Sequence, residues 1–411
     1  MTEEGKPEFF YGYVIVAAAF IVMAVAMGGN ISFGVFFKPV LVEFGWTRAT
    51  TSGAFSLSVI LSGFLGLVAG RLNDRFGPRL VLTACGILSG LGYLLLSQVS
   101  GLGQLYLVYG LIMGIGLSGY FVALLSTTAR WFVKRRGMMT GIVLAGIGTG
   151  TTVMPLLASW LISNYEWRTS YIIVGIISLI LIVLIAQLFQ RDPQSRGQLP
   201  DGGMEEKHNN LNSAAEGLSF QEALRTKQLW MLPVIFLGVG FSIYAMVVHI
   251  VIHATGLGIL ETSAVNILAL AGGANIVARL MIGNVVDRIG SRPALIIGLS
   301  AMLTALVWLQ FANELWMLYL FGAIFGFAWG GSSVPMSPII AELFGLKAHG
   351  VLFGFVDIGF AVGATIAPVL IGYIFDVTSS YQLGFLICAV LSAIGLILAL
   401  LLKPTRAISS S

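Results

Sequence analysis

Residues 271 to 290 read AGGANIVARLMIGNVVDRIG. The run opens as a helix of small and apolar residues and closes in a charged turn, as a membrane helix does where it meets water. Arg279 stands inside the apolar part, where an unpaired guanidinium costs several kcal/mol or draws water in with it; it therefore requires an anionic partner. The turn that follows, with Gly283, Asp287, Arg288, Gly290 and Arg292, reads as a tight cytoplasmic connection between two membrane helices. A similar turn, GRLNDRFGPR, occupies residues 70 to 79.

The positions of Asp74 and Asp287 define an offset (287 minus 74), and the same offset joins Arg288 to Arg75, Gly290 to Gly77 and Arg292 to Arg79. It also joins Gly350 to Gly137, Gly354 to Gly141, Gly359 to Gly146, Gly363 to Gly150 and Pro368 to Pro155. The chain is therefore an internal duplication. Two parallel six-helix repeats joined by a cytoplasmic loop form the architecture of rocker-type carriers, with the substrate between the repeats near mid-membrane.

Composition agrees. The 411 residues are 57% hydrophobic and 10% charged, with a mean hydropathy of +0.94, outside the range of soluble domains. About twelve apolar runs have the roughly 20-residue length that crosses a bilayer as a helix. The expected fold is an all-α polytopic membrane protein of twelve transmembrane helices in two pseudo-symmetric six-helix bundles. The bundles are residues 1 to 190 and 229 to 411, and a central loop spans 191 to 228. The opening MTEEGKPEFF runs into the first span with no cleavage pattern. Cys85 and Cys388 both lie in apolar runs as packing residues, and no metal spacing or cofactor motif occurs.

A sequence pI near 9.1 reports topology and not nucleic acid, because the bases follow alternate loops. With the N-terminus in the cytoplasm, Lys6, Arg71, Arg130, Lys134, Arg135, Arg136, Arg288, Lys347, Lys403 and Arg406 fall inside, and only Lys38, Arg48 and Arg168 fall outside. The expected location is the cell inner membrane with both termini cytoplasmic. In the central loop, Ser219 and Glu222 form a capping box for SFQEALRTKQLW, read as a short amphipathic surface helix, and the loop as a flexible tether.

GRLNDRFGPR and its weaker copy GNVVDRIGSR (283 to 292) resemble the loop motif of the major facilitator superfamily. WFVKRRGMMTGIVLAGIGTG (131 to 150) is similar to the fifth-helix signature of the monocarboxylate transporter family, as are FFYGYV (9 to 14) and SFGVFFKPV (32 to 40) to its first-helix region. The resemblance implies the major facilitator fold and assigns the arginine of the eighth helix to the substrate carboxylate. Animal members usually carry an acid at the position of Asn275 and a lysine in the first helix. Here there is Asn275 and no lysine before Lys38, so their proton route does not carry over.

The residues themselves add candidates. Arg279 breaks the duplication, since its repeat equivalent is Gly66; the alternative to substrate binding is a structural ion pair with Asp357. Asn275 shares its helix face and serves either substrate or helix packing. Tyr120 stands at cavity depth as a donor or as core, and Met27, Asn30, Leu144, Trp329 and Phe360 are wall candidates. His249 and Asp357 are the proton-coupling candidates, although His249 also reads as a polar residue at a helix end and Asp357 as an anchor for the Asp74 loop. Gly70, Asp74, Arg75, Gly77, Arg79, Asp287, Arg288, Gly290 and Arg292 are read as gating structure, their acids and arginines pairing across the cytoplasmic face. The expected function is proton symport of small monocarboxylates such as L-lactate or pyruvate, partnered by the bilayer and protons, with no obligate protein partner. Alternatives are an oxalate and formate type antiporter or a membrane sensor; no catalytic constellation supports an enzyme.

Overall fold

The computed structural model describes residues 9 to 46, 48 to 202 and 217 to 403; Lys6 and Arg406 lie outside them. Among the described residues twelve helices are long and apolar enough to span a membrane. The first six are α1 (Gly12–Phe37), α2 (Thr50–Phe76), α3 (Pro78–Leu96), α4 (Leu102–Trp131), α5 (Arg136–Asn164) and α6 (Trp167–Ala186). The second six are α7 (Lys227–Gly256), α8 (Ser263–Ile289), α9 (Ser291–Leu309), α10 (Leu315–Phe344), α11 (His349–Thr378) and α12 (Gln382–Leu401).

The duplication is visible in the packing. Within the first six helices Gly146 of α5 rests on the Phe20 carbonyl of α1, and Gly150 on that of Ala24. Within the second six Gly359 of α11 rests on Pro233 of α7, and Gly363 on Leu237. Each contact in the second set is its counterpart in the first, moved along the chain by the repeat offset. In lipid, where apolar side chains gain little from one helix over another, such close backbone approach is what holds helices together. The turns between α2 and α3 and between α8 and α9 repeat too, with Gly77 at φ +87° and Gly290 at φ +91°, a conformation that side chains rarely tolerate.

Two spans are irregular. In α4 residues Tyr106–Met113 form a π-helix, and the helix breaks at Ser118 and Gly119 before resuming at Tyr120. In α10 the break falls at Val334 and Pro335.

The central loop corrects two expectations. The run SFQEALRTKQLW is not one amphipathic helix: Phe220–Leu224 forms little more than a turn under the capping box of Ser219 and Glu222. Thr226 then caps a new helix, accepting from the Leu229 amide, and the rest of the motif is the start of α7. Nor are the described parts of the loop a free tether. Asp201 accepts the amides of Val133 at 2.9 Å and Lys134 at 2.7 Å, Gln198 accepts the Tyr11 amide, and the Leu218 amide donates to the Phe344 carbonyl. The loop is pinned to both halves on one face of the molecule, here termed the linker side.

Candidate functional site

Two seams join the halves, α5 with α8 and α2 with α11. On the first, Gly137 of α5 meets Gly283 of α8, Gly141 meets the Arg279 backbone and Gly148 meets Ile276. On the second, Gly350 of α11 meets Gly70 of α2, Gly354 meets Gly66 and Ala361 meets Gly63. The repeat offset relates the two seams, carrying α5 onto α11 and α2 onto α8. Further from the linker side, Gly272 and Gly273 of α8 face open space. The seams therefore close the linker-side half of the molecule.

Each seam ends in a carboxylate that caps the partner half's helix. Asp287 accepts the amides of Gly137 at 2.6 Å and Met138 at 2.8 Å, at the start of α5. Asp74 accepts those of Gly350 at 3.1 Å and Val351 at 3.0 Å, at the start of α11. Helix N-termini present unpaired N–H groups and partial positive charge, so each acid keeps these donors only while the seam is closed. The expectation that acids and arginines pair across this face needs correction. Arg79 donates to the Gln187 carbonyl at the end of α6 and Arg292 to those of Ala399 and Leu400 at the end of α12, while Arg75 lies over the Phe76 ring. Asp74 pairs with Arg130, at 3.5 Å, which also holds Asp192 and the Leu346 carbonyl. Arg130 stood among the inside charges, but nothing in the sequence marked it as the partner of Asp74.

Arg279 sits on α8 ten residues before Ile289, about 15 Å into the membrane at about 1.5 Å per residue. It is 3% exposed. Its guanidinium donates to the Leu144 carbonyl of α5; its Nε has no partner, and neither does Nδ2 of Asn275 one turn away, itself 4% exposed. Among the described residues no carboxylate lies within ion-pair distance of Arg279, so the structural ion pair with Asp357 is not formed. Asp357 likewise pairs with none of the arginines near Asp74.

The other candidates separate. Met27, Asn30, Trp329 and Phe360 are half-buried, with Phe360 edge-on to Tyr244 and Asn30 accepting from Tyr109. Tyr120 requires correction: it is fully buried, and its hydroxyl is bonded to Ser89 of α3 at 2.7 Å. It faces the interior of the first bundle and not the seam. His249 is bonded through Nε2 to the Pro368 carbonyl at 3.0 Å and packs on Tyr381, within the α7 and α11 wall. It stands seven residues from the far end of α7, well away from the depth of Arg279.

The family model for the Major Facilitator Superfamily matches residues 19–283 and 256–411. The chain belongs to the major facilitator superfamily. It is 28% identical over 383 residues to monocarboxylate transporter 13 of Bos taurus, covering 93% of this chain and 87% of the relative. It is 27% identical over 398 residues to the oxalate:formate antiporter of Oxalobacter formigenes, covering 95% and 91%. Among solved structures, the human organic anion transporter MFSD10 (TETRAN) superposes with a TM-score of 0.75 at 14% identity, covering 94% of this chain and 99% of that one, and this likeness speaks to the fold. As a member of this superfamily the protein is a multi-pass membrane transporter and not an enzyme, which leaves the sensor reading without support.

Proposed function

We propose that the protein carries small monocarboxylates, with L-lactate and pyruvate as the type, together with a proton by alternating access, and that Arg279 binds the carboxylate. The observation that carries this reading is the buried guanidinium with one carbonyl partner and no acid. Five N–H donors meet one acceptor, and Asn275 adds a second unused donor on the same face. A carboxylate accepts two parallel bonds from such a fork and cancels its charge. Glycine and alanine crowd the seams around this point, which favours a compact anion.

The orientation follows from charge: the linker side carries most of the bases and is therefore assigned to the cytoplasm, in the cell inner membrane. In the closed-seam state the anion enters from the far side. Binding neutralises Arg279, the two caps at Asp74 and Asp287 release, and the halves rock to open the linker side. Asp357 and His249 are the groups available to carry the proton.

Purified protein in liposomes tests this with lactate, pyruvate, acetate and oxalate, with and without acid outside. Lactate or pyruvate accumulates only with the proton gradient. A second reading, anion antiport, draws on the oxalate:formate relative; oxalate-for-formate counterflow at equal pH, with no gradient-driven lactate uptake, overturns symport in its favour.

A further inference from the structure

The α2 and α11 seam holds a lone acid. On α11 Gly350, Gly354 and Ala361 all face α2, and Asp357 falls on the same strip, three residues after Gly354 and four before Ala361. The duplication names its counterpart. Asp357 is the repeat equivalent of Leu144, whose carbonyl receives Arg279, and Arg279 is the repeat equivalent of Gly66. Where one seam sets a guanidinium of α8 against α5, the other has glycine at that place on α2, facing Gly354 and the Ser118 carbonyl, and a carboxyl on the strip of α11 beside it.

Asp357 is half-buried, and among the described residues it has neither an ion pair nor a hydrogen-bond donor. From α7, Tyr244 is the titratable side chain at this level, edge-on to Phe360 of α11. From α2 the strip opposite presents Gly63, Gly66 and Gly70, with no charge. The other proton candidate, His249, bonds the Pro368 carbonyl through Nε2 and keeps an unpartnered Nδ1, but it stands in the α7 and α11 wall, off both seams.

We propose that Asp357 is the group on which the transported proton rides, an inference that rests on the proton-coupled reading above. With the seam closed, the carboxylate takes a proton from far-side water, because an acid without partner or donor is far cheaper to hold neutral than charged. When the seam parts, Gly66 and Gly354 separate, linker-side water reaches the carboxyl, and the O–H bond breaks to return the proton there. No electrons move. Charge counting then gives the coupling. The empty carrier holds Arg279 as a cation and Asp357 as an anion, and the fully loaded carrier holds a paired Arg279 and a neutral Asp357; both are neutral overall. Either substrate alone leaves one net charge to be moved through the membrane, which is costly. Anion and proton therefore cross together, one for one.

The test compares wild type, Asp357→Asn and Asp357→Glu in liposomes by two readouts: lactate-driven proton movement, followed by a trapped pH dye, and lactate counterflow at equal pH. Asparagine mimics the protonated acid, so Asp357→Asn keeps counterflow within a small factor of wild type while its proton movement falls to background; Asp357→Glu retains both. Lactate-driven proton movement at the wild-type level in Asp357→Asn overturns the proposal. Loss of counterflow together with proton movement also overturns it, assigning Asp357 to seam structure. Wild-type counterflow without proton movement refutes the coupled reading itself and this inference with it. Wild type inactive with every monocarboxylate refutes the proposed substrate.

Discussion

The two seams share a backbone plan and differ in chemistry. Glycine meets backbone at equivalent positions along both, and both end in an acid over the first amides of the opposite helix. The α5 and α8 seam then carries Arg279, and the α2 and α11 seam carries Asp357 with Arg130 behind its terminal acid. The repeat equivalent of Arg130 is Leu343, so among the described residues the Asp74 lock has an ion pair and the Asp287 lock has none. What the duplication preserved is the glycine contact along each seam and the acid that caps its end. What it lost marks the places where charge has a task of its own.

The largest effect expected from breaking this comparison is at Arg279. Removing one member of a buried charge pair costs about 3–5 kcal/mol, so Arg279→Ala loses on the order of a hundredfold or more in lactate uptake at low concentration. Arg279→Lys keeps the charge without the planar fork and falls between. Uptake by Arg279→Ala at the wild-type rate removes any meaning from the difference between the seams.

The next effect sharpens the inequality of the locks. Loss of a capping side chain is worth about 0.5–2 kcal/mol, so both Asp74→Ala and Asp287→Ala shift the carrier toward the state open on the linker side. Asp74→Ala shifts it further, because it also leaves Arg130 buried without that partner. The alkylation rate of a cysteine placed beside each seam on the linker side reports the shift, and equal rates in the two variants contradict the ranking.

The smallest effect lies off both seams, on the far side, where Arg168 holds Glu43 at 2.6 Å and Trp167 donates to the same carboxylate. The hydrogen bond from Arg168, then that from Trp167, keeps the Glu43 carboxyl below its ordinary value of 4.5. Its contribution is present in full above that value and fades as pH falls through the lowered one. The pair is exposed, and such pairs contribute about 0–1 kcal/mol. Glu43→Gln therefore lowers the melting temperature slightly at pH 7, and the gap from wild type closes in strong acid with the ratio of inward to outward states unchanged. A shifted ratio makes the clamp part of the moving machinery.

Much of this was readable beforehand because it follows periods the chain cannot hide. Apolar length gave twelve spans, a fixed offset gave two halves, and a cation in an apolar helix singled out Arg279. Tyr120 was placed by depth, which leaves its facing open between cavity and core; the π-helix at Tyr106–Met113 and the break at Ser118 and Gly119 lie before it, and its hydroxyl ends on Ser89 in the core. The partners of Asp74 and Asp287 escaped because they are backbone amides, which nearly every sequence position offers alike. Thr226 ended the amphipathic pattern of the linker because a side chain that caps one helix separates it from the one before.

Gly66 occupies the place where the opposite half carries its guanidinium, and it contributes no side-chain atoms toward Asp357. A lysine or arginine at this one position would supply the acid with a resident counter-ion. On the proposed coupling such a descendant would be neutral with one anion and no added hydrogen ion, would be left charged when empty, and would therefore trade one anion for another and no longer accumulate it.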